Sequence, residues 1–242
     1  MTAPRTVLAQ NASAMTLDGT RTFLVGRETV AVIDPGPALP SHMDALANAL
    51  RDASSVAIVL THHHPDHAAG APALASQLAA TALSYGPAVP SEGETVPTDA
   101  GVLVALATPG HTPDHCAIHW PEESAIFCGD LMMGGIDTAL VAAPEGDLAD
   151  YLDSLDRLER LAPQVVYPTH GPHFTDPVEA FRRYRAHRAE RLRAVRAALE
   201  AGRQSVPEAM AALYGEKVEP ELRPWLEATT IAYLDYLGEA RP

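Results

Sequence analysis

Residues 61–67 read Thr61-His62-His63-His64-Pro65-Asp66-His67, and they place four metal-binding side chains, His62, His64, Asp66 and His67, within six positions. The chain holds 11 His in 242 residues, so this crowding is not compositional. Imidazole and carboxylate donors suit zinc and similar divalent cations, and cations held this way generate hydroxide near neutral pH. The spacing therefore points to a reaction type, attack by activated water, as well as to a metal. Alternation along an extended segment turns His62, His64 and Asp66 one way and His63 the other. His63 reads as a loop residue beside the ligands.

A two-metal site needs more donors than one loop supplies. His111 follows the apolar run Val102–Ala107 in Thr108-Pro109-Gly110-His111-Thr112. Asp130 follows Ala125–Cys128 in Phe127-Cys128-Gly129-Asp130. His170 follows Val165–Tyr167 in Tyr167-Pro168-Thr169-His170-Gly171. Each stands at the end of an expected strand, beside Gly or Pro residues that let the backbone turn tightly. A carboxylate such as Asp130 can bridge two cations.

The elements that must position these side chains are legible as short apolar runs between turn signals. Strands are predicted over Thr22–Val25, Thr29–Ile33, Ser55–Leu60, Ala82–Tyr85, Val102–Ala107, Cys116–Trp120, Ala125–Cys128 and Gln164–Tyr167. Helices are predicted over Leu39–Arg51, Ala68–Ala79 and Leu148–Leu161, the last with Asp147 as its N-cap. The mixture of neighbouring and helix-separated strands implies two mixed sheets covered by helices. After Asp176-Pro177 the pattern turns helical: residues 178–201, ended by Gly202, then Val206–Tyr214 and about Glu221–Leu237. The expected division is a catalytic domain over residues 1–176 and a helical subdomain over residues 177–242.

His62-x-His64-x-Asp66-His67, then Pro109-Gly110-His111-Thr112, Gly129-Asp130 and His170-Gly171, in that order, resemble the metallo-beta-lactamase superfamily. Val32-Ile33-Asp34-Pro35-Gly36 matches an early strand ending in a supporting Asp. The resemblance implies an α/β fold, an αββα four-layer sandwich with the metals at one edge of the two sheets. It implies one metal on His62, His64 and His111, a second on Asp66, His67 and His170, and Asp130 bridging them. It also implies that Asp34 orients ligands by hydrogen bonding, and it matches Asp130 to the Cys ligand of zinc beta-lactamases. The segments 129–135, 144–152 and 184–188 resemble one branch of hydrolases with a small winged-helix-like C-terminal region, whose members resemble endoribonucleases or polyketide thioesterases. Arg21 stands where that branch usually shows Asn, and a full wing hairpin is not expected so close to Pro242. His115, which similar hydrolases also carry, reads as scaffold; His42, His119, His173 and His187 have no motif support.

The expected chemistry is hydrolysis of a small-molecule ester, thioester or lactone by metal-activated hydroxide, with Asp66 both a ligand and a catalytic residue that orients the hydroxide or moves its proton. Two zinc ions per chain are expected, and manganese or iron suits the same donors. Three other readings compete: an endoribonuclease holding RNA on the tail, a lactam hydrolase, and a non-catalytic metal-binding module whose tail mediates dimerisation. Residues 182–203 carry eight Arg against Glu190 and Glu200, which favours an anionic partner. Against nucleic acid stands the acidic body: residues 1–176 hold 6 Arg and 21 Asp or Glu, and the formal net charge is −14. Arg stems also cover apolar surface well, and no aromatic–basic interleaving suggests base stacking. Trp225, Leu226 and Tyr233 are expected to pack on the body or on a second subunit, making a homodimer. No apolar run approaches 18 residues, so no membrane span is expected. The first 17 residues do not read as a signal peptide, and Cys116 and Cys128 read as reduced core thiols. Together these predict a cytoplasmic protein.

Overall fold

The computed structural model describes residues 3–78, 83–203 and 205–238. Two five-stranded sheets face each other. The first runs β1 (Arg5–Leu8), β2 (Arg21–Val25), β3 (Thr29–Ile33), β4 (Ser55–Val59) and β5 (Leu83–Ala88), in that spatial order. The second runs β10 (Val165–Pro168), β9 (Ala125–Gly129), β8 (Cys116–Trp120), β7 (Gly101–Ala107) and β6 (Thr95–Thr98). The β3–β4, β4–β5 and β9–β10 pairs are parallel and the others antiparallel.

The central strands are largely apolar because both faces of each sheet are covered there. In β3, Ala31 and Ile33 point between the sheets, while Val30 and Val32 point outward. In β9, Phe127 points inward against Phe23 and Trp120, while Ile126 and Cys128 point outward. The outer face of the first sheet is covered by α1 (Pro40–Ala49) and α3 (Ala71–Leu78) through Met43, Leu46, Leu74 and Leu78. The outer face of the second is covered by α4 (Leu148–Arg160) through Tyr151, Leu155 and Leu158. Each such side chain stabilises by about 1.5–3 kcal/mol on burial. The result is the expected αββα sandwich, with the sheet-to-sheet layer as its centre.

The short helix α2 (Pro65–Ala68) and α3 divide the single helix predicted over Ala68–Ala79. The break falls at Gly70, whose N–H donates to the Gly36 carbonyl at 2.8 Å. A Cβ there would lie 2.9 Å from that oxygen and 2.7 Å from the Met43 side chain. Close contact with the end of β3 therefore overrides helical continuity. Ala79 and Ala82, at the ends of two expected elements, lie outside the described residues. The strands β1 and β6 escape the sequence reading because each is a four-residue edge strand without an apolar run, and Pro97 interrupts β6.

Three helices follow: α5 (Pro177–Glu200), α6 (Val206–Tyr214) and α7 (Arg223–Tyr236). Asp176 caps α5 by accepting from the Glu179 N–H at 3.1 Å, and Asp147 caps α4 by accepting from Asp150 at 2.9 Å. Phe181, Tyr184, Val195, Leu213 and Tyr233 share one apolar cluster with α4 and the second sheet. Tyr233 thus packs on the body, whereas Trp225 remains 48% exposed. No strand follows β10 among the described residues, so these helices carry no wing there.

Candidate metal centre

The carboxyl ends of β3, β4, β7, β9 and β10 gather at one edge of the sandwich. Cys116 stitches the sheets there by donating its N–H to the Thr61 carbonyl at 2.8 Å. Gly129, at φ +50°, lets β9 approach the end of β4: a Cβ would sit 2.6 Å from His115 Nε2 and 2.8 Å from Thr61 Oγ1. Along this edge the connection after β4 carries His62 and His64, and α2 carries Asp66 and His67, so the extended segment expected through Asp66 gives way to a helical turn at Pro65. The turns after β7, β9 and β10 carry His111, Asp130 and His170. The fold brings all seven together.

They form two adjoining donor groups. His64 Nδ1 lies 2.9 Å from His62 Nε2 and 3.0 Å from His111 Nε2. In the other group His170 Nε2 lies 3.2 Å, and His67 Nε2 3.7 Å, from Asp66 Oδ2. Asp130 reaches both groups. Its Oδ1 is 3.4 Å from each of His67 Nε2 and His170 Nε2, and its Oδ2 is 3.7 Å from His111 Nε2.

The opposite nitrogen of every one of these rings is committed elsewhere. His62 Nδ1 donates to Thr61 Oγ1 at 3.1 Å, and His64 Nε2 to Glu145 at 3.2 Å. His67 Nδ1 donates to Asp34 at 2.8 Å, His111 Nδ1 to the Leu140 carbonyl at 2.7 Å, and His170 Nδ1 to the Gly19 carbonyl at 3.1 Å. In neutral rings these bonds leave bare nitrogens converging on the two groups, and converging lone pairs call for a cation. His67 Nε2, His170 Nε2 and Asp130 Oδ1 are buried without a hydrogen-bond partner. Buried polar atoms are rarely left so, and the donor set fits divalent metals.

The electrostatics agree. Burial opposes ionisation of Asp130, yet His67 and His170 outweigh it and hold its carboxyl well below the usual range. Burial likewise opposes charge on His67 and His170, but Asp130 with Asp34 or Asp66 raises both imidazoles above their ordinary value. His62 and His111 are pushed down, chiefly by burial. In the protein alone, protons on His67 and His170 supply positive charge that cations would supply instead.

Asp34 is fully buried and accepts four hydrogen bonds: from the Thr61 N–H and Thr61 Oγ1, both at 2.7 Å, from His67 Nδ1, and from Thr169 Oγ1 at 3.1 Å. It ties together the ends of β3, β4 and β10. His115 is scaffold, and it stands directly behind the bridging candidate Asp130. Its Nδ1 donates to the Thr108 carbonyl at 3.0 Å, leaving Nε2 to accept the Asp130 N–H at 3.2 Å. Burial drops its pKa to about 4, so the ring is neutral as that bond requires. Thr61, Thr169 and Glu145 were not singled out from the sequence. The first two carry a signal, since each immediately precedes a candidate ligand His.

Other expected features lie off the centre. His63 pairs with Asp114 at 2.9 Å on the exposed rim. Arg21 forms a two-pronged pair with Asp18, whose carboxylate also accepts the Gly171 N–H at 3.2 Å beside His170. Much of the Arg-rich helix is already engaged: Arg182 with Glu179, Arg183 with Asp137, and Arg185 with Asp156 and Glu159. Arg188 is buried. No helix among the described residues is long and apolar enough to cross a membrane.

Comparison with known proteins agrees with this geometry. The atrochrysone carboxyl ACP thioesterase of Aspergillus terreus is 34% identical over 139 residues, covering 53% of this chain. The chain spans less than half of the curated relatives it matches, 43% of this one. A beta-lactamase domain protein from Burkholderia ambifaria superposes over 98% of this chain and 87% of its own, with a TM-score of 0.81 at 19% identity. TTHA1623 in a di-iron-bound form covers 74% of this chain and 97% of its own, with a TM-score of 0.54 at 28% identity. The family model for the metallo-beta-lactamase superfamily matches residues 15–90 and 83–170, a stretch that contains all seven converging donors. The chain belongs to the metallo-beta-lactamase superfamily.

Proposed function

We propose that this chain is a metal-dependent hydrolase of thioesters, with His62, His64 and His111 holding one cation, Asp66, His67 and His170 a second, and Asp130 bridging. The observation that carries this reading is the convergence of five His, each with its outward nitrogen already engaged, on Asp66 and on Asp130, whose Oδ1 is buried without a hydrogen-bond partner. Bound divalent cations would lower the pKa of water and polarise a carbonyl oxygen. The known relatives with di-iron or thioesterase names leave zinc, manganese and iron open as the resident metal, and zinc is the first expectation for this donor set.

The protein's own contribution is orientation and proton handling. Asp66 is the accessible carboxylate of the set, its side chain 31% exposed against 13% for Asp130. Burial raises its pKa, but His170 and His67 reverse that and keep it ionised at neutral pH. Asp66 is therefore the group placed to take a proton from an attacking water, at the carboxylate oxygen not turned toward His67 and His170. A thioester asks least of a general acid, because a thiol of pKa about 8.5 leaves as thiolate without protonation. The thioesterase name of the Aspergillus terreus relative supports the same class. The pairing of Arg182, Arg183 and Arg185 with carboxylates supports a small-molecule substrate over nucleic acid, because those cations are already compensated.

The test is metal analysis of purified protein, paired with aryl and alkyl thioesters, a lactone, a chromogenic lactam and a fluorogenic RNA. Thioester turnover should lead. His62→Ala and His111→Ala should lose metal and turnover together, and Asp66→Asn reloaded with metal should remain slow. Preferential cleavage of RNA or lactam overturns the assignment, and full metal retention in both His variants overturns the ligand set.

A further inference from the structure

A cavity of about 260 Å³ lies between the turn at Met15, the segment Met133–Leu140 and helices α5 and α7. Its lining is apolar and aromatic, with Met15, Met133, Leu140, Trp225 and Tyr233 among the contributors. Met15 and Trp225 are also among the few large apolar side chains left exposed, and both stand on this one feature. No Asp or Glu lines it, but Arg188 and Arg191 do.

Arg188 is the unusual group. It is 1% exposed and forms no ion pair with a carboxylate among the described residues. Its guanidinium donates to Tyr233 Oη at 3.0 Å and to the Ala139 carbonyl, and it lies 4.7 Å from the centre of the Tyr151 ring. Its Nε is buried without a partner. Arg191 stacks 4.9 Å from the Tyr214 ring and donates to the Leu213 carbonyl. A buried cation without an anion is costly, and carbonyls with ring faces offset only part of that. An anion entering beside Arg188 would complete the compensation.

The cavity is linked to the candidate centre through one backbone carbonyl, and none of the seven donors lines it. Leu140 lines it, and the carbonyl of the same residue fixes His111 Nδ1 at 2.7 Å. Arg188 grips the preceding carbonyl, that of Ala139. One dipeptide thus forms a cavity wall and orients a candidate ligand.

We propose that this cavity is the acyl subsite of the hydrolase, and that it takes a flat, ring-containing acyl group bearing a carboxylate or phenolate. The anion lies on Arg188, and the ring lies against Trp225 and Met15. A cavity near 150 Å³ holds one benzene, so 260 Å³ matches one or two fused rings. The inference rests on the thioester reading for its place in the reaction, but not for its binding test.

The test is calorimetric titration of the metal-loaded protein with 2-naphthoate and with neutral 2-naphthamide. The acid should bind saturably and at least about tenfold more tightly than the amide, as one charge-assisted hydrogen bond gives. Trp225→Ala, at a half-exposed position that tolerates truncation, should weaken the acid about tenfold or more. Arg188→Gln, which removes the charge, should erase the preference over the amide. If Arg188→Gln fails to fold, Trp225→Ala still decides, because naphthoate bound only through metal would ignore that change. Equal affinity for acid and amide, or no effect of Trp225→Ala, overturns the subsite. Naphthoyl thioester turnover unaffected by Trp225→Ala would sink the subsite while leaving the reaction standing. Naphthoate binding that depends on Trp225, without turnover of any thioester, would sink the reaction and leave the cavity a ligand site.

Discussion

Replacing Asp34 by Asn changes one atom, yet it should disturb both the fold and the candidate centre. Asp34 accepts three hydrogen bonds on Oδ2, from Thr61 Oγ1, His67 Nδ1 and Thr169 Oγ1, and one on Oδ1, from the Thr61 N–H at 2.7 Å. Asn has one acceptor and one donor group. If its oxygen keeps the crowded side, its NH2 meets the Thr61 N–H donor to donor. If it flips, the NH2 meets His67 Nδ1–H, and the ring must move its proton to Nε2, the nitrogen that faces Asp130. Either orientation forfeits a charge-assisted bond and strands a buried donor, about 2–5 kcal/mol together. For a chain of this size that is a fall in Tm of roughly 5–15 °C. Losing the partner that orients a metal-binding His typically lowers metal affinity about 10–100-fold. Thermal unfolding followed by circular dichroism in chelator reads the first effect, and competition with a chromogenic chelator reads the second. Metal affinity within about twofold of the parent, alongside the stability loss, would refute the role of Asp34 in aiming His67.

Three further outcomes are expected. Gly129→Ala places a Cβ 2.6 Å from His115 Nε2 at a residue with φ +50°; it should destabilise by at least about 2 kcal/mol, read as a lower urea midpoint. An unchanged midpoint would show that β9 need not approach so closely. His115→Ala leaves the Asp130 N–H and the Thr108 carbonyl without their partner. It should cost about 2–4 kcal/mol and weaken metal binding, whereas loss of stability with parental affinity would return His115 to a purely structural part. Tyr184→Phe removes a hydroxyl that accepts from the Met133 N–H at 2.6 Å and donates to its carbonyl at 2.8 Å. About 1–3 kcal/mol should be lost in chemical denaturation, with metal content unchanged; parental stability would mean that the Met133 backbone finds other partners.

The seven converging donors were legible in the sequence because each sits in a short connection at a strand end whose Gly, Pro and His carry a local pattern. The sandwich was legible because strands covered on both faces, such as Thr29–Ile33 and Ala125–Gly129, are continuous apolar runs. What escaped depends on long-range register. The contact of His115 with the Asp130 amide exists only because β8 lies between β7 and β9. The carbonyls of Gly19 and Leu140 that fix His170 and His111 belong to no side chain, so residue types say nothing of them. The helix break at Gly70 follows from its approach to Gly36, 34 positions away, and no local propensity encodes that. Arg188 looked like one more cation on a basic helix, and only packing shows that it is buried.

The position of the centre across the open edge of the sandwich has a thermodynamic corollary. Donors as far apart in the chain as His62 and His170 meet there, four from one sheet and three from the other, so bound cations would act as a cross-link between the two sheets. Loading with metal then becomes part of folding. A free cation at a hundred times its dissociation constant adds about 2.7 kcal/mol to the folded state, which is comparable with a disulfide spanning a short loop. A reducing environment that forbids such a bridge would leave this one intact. The resistance of the chain to heat or proteolysis would then report the cation supply around it, independently of any substrate.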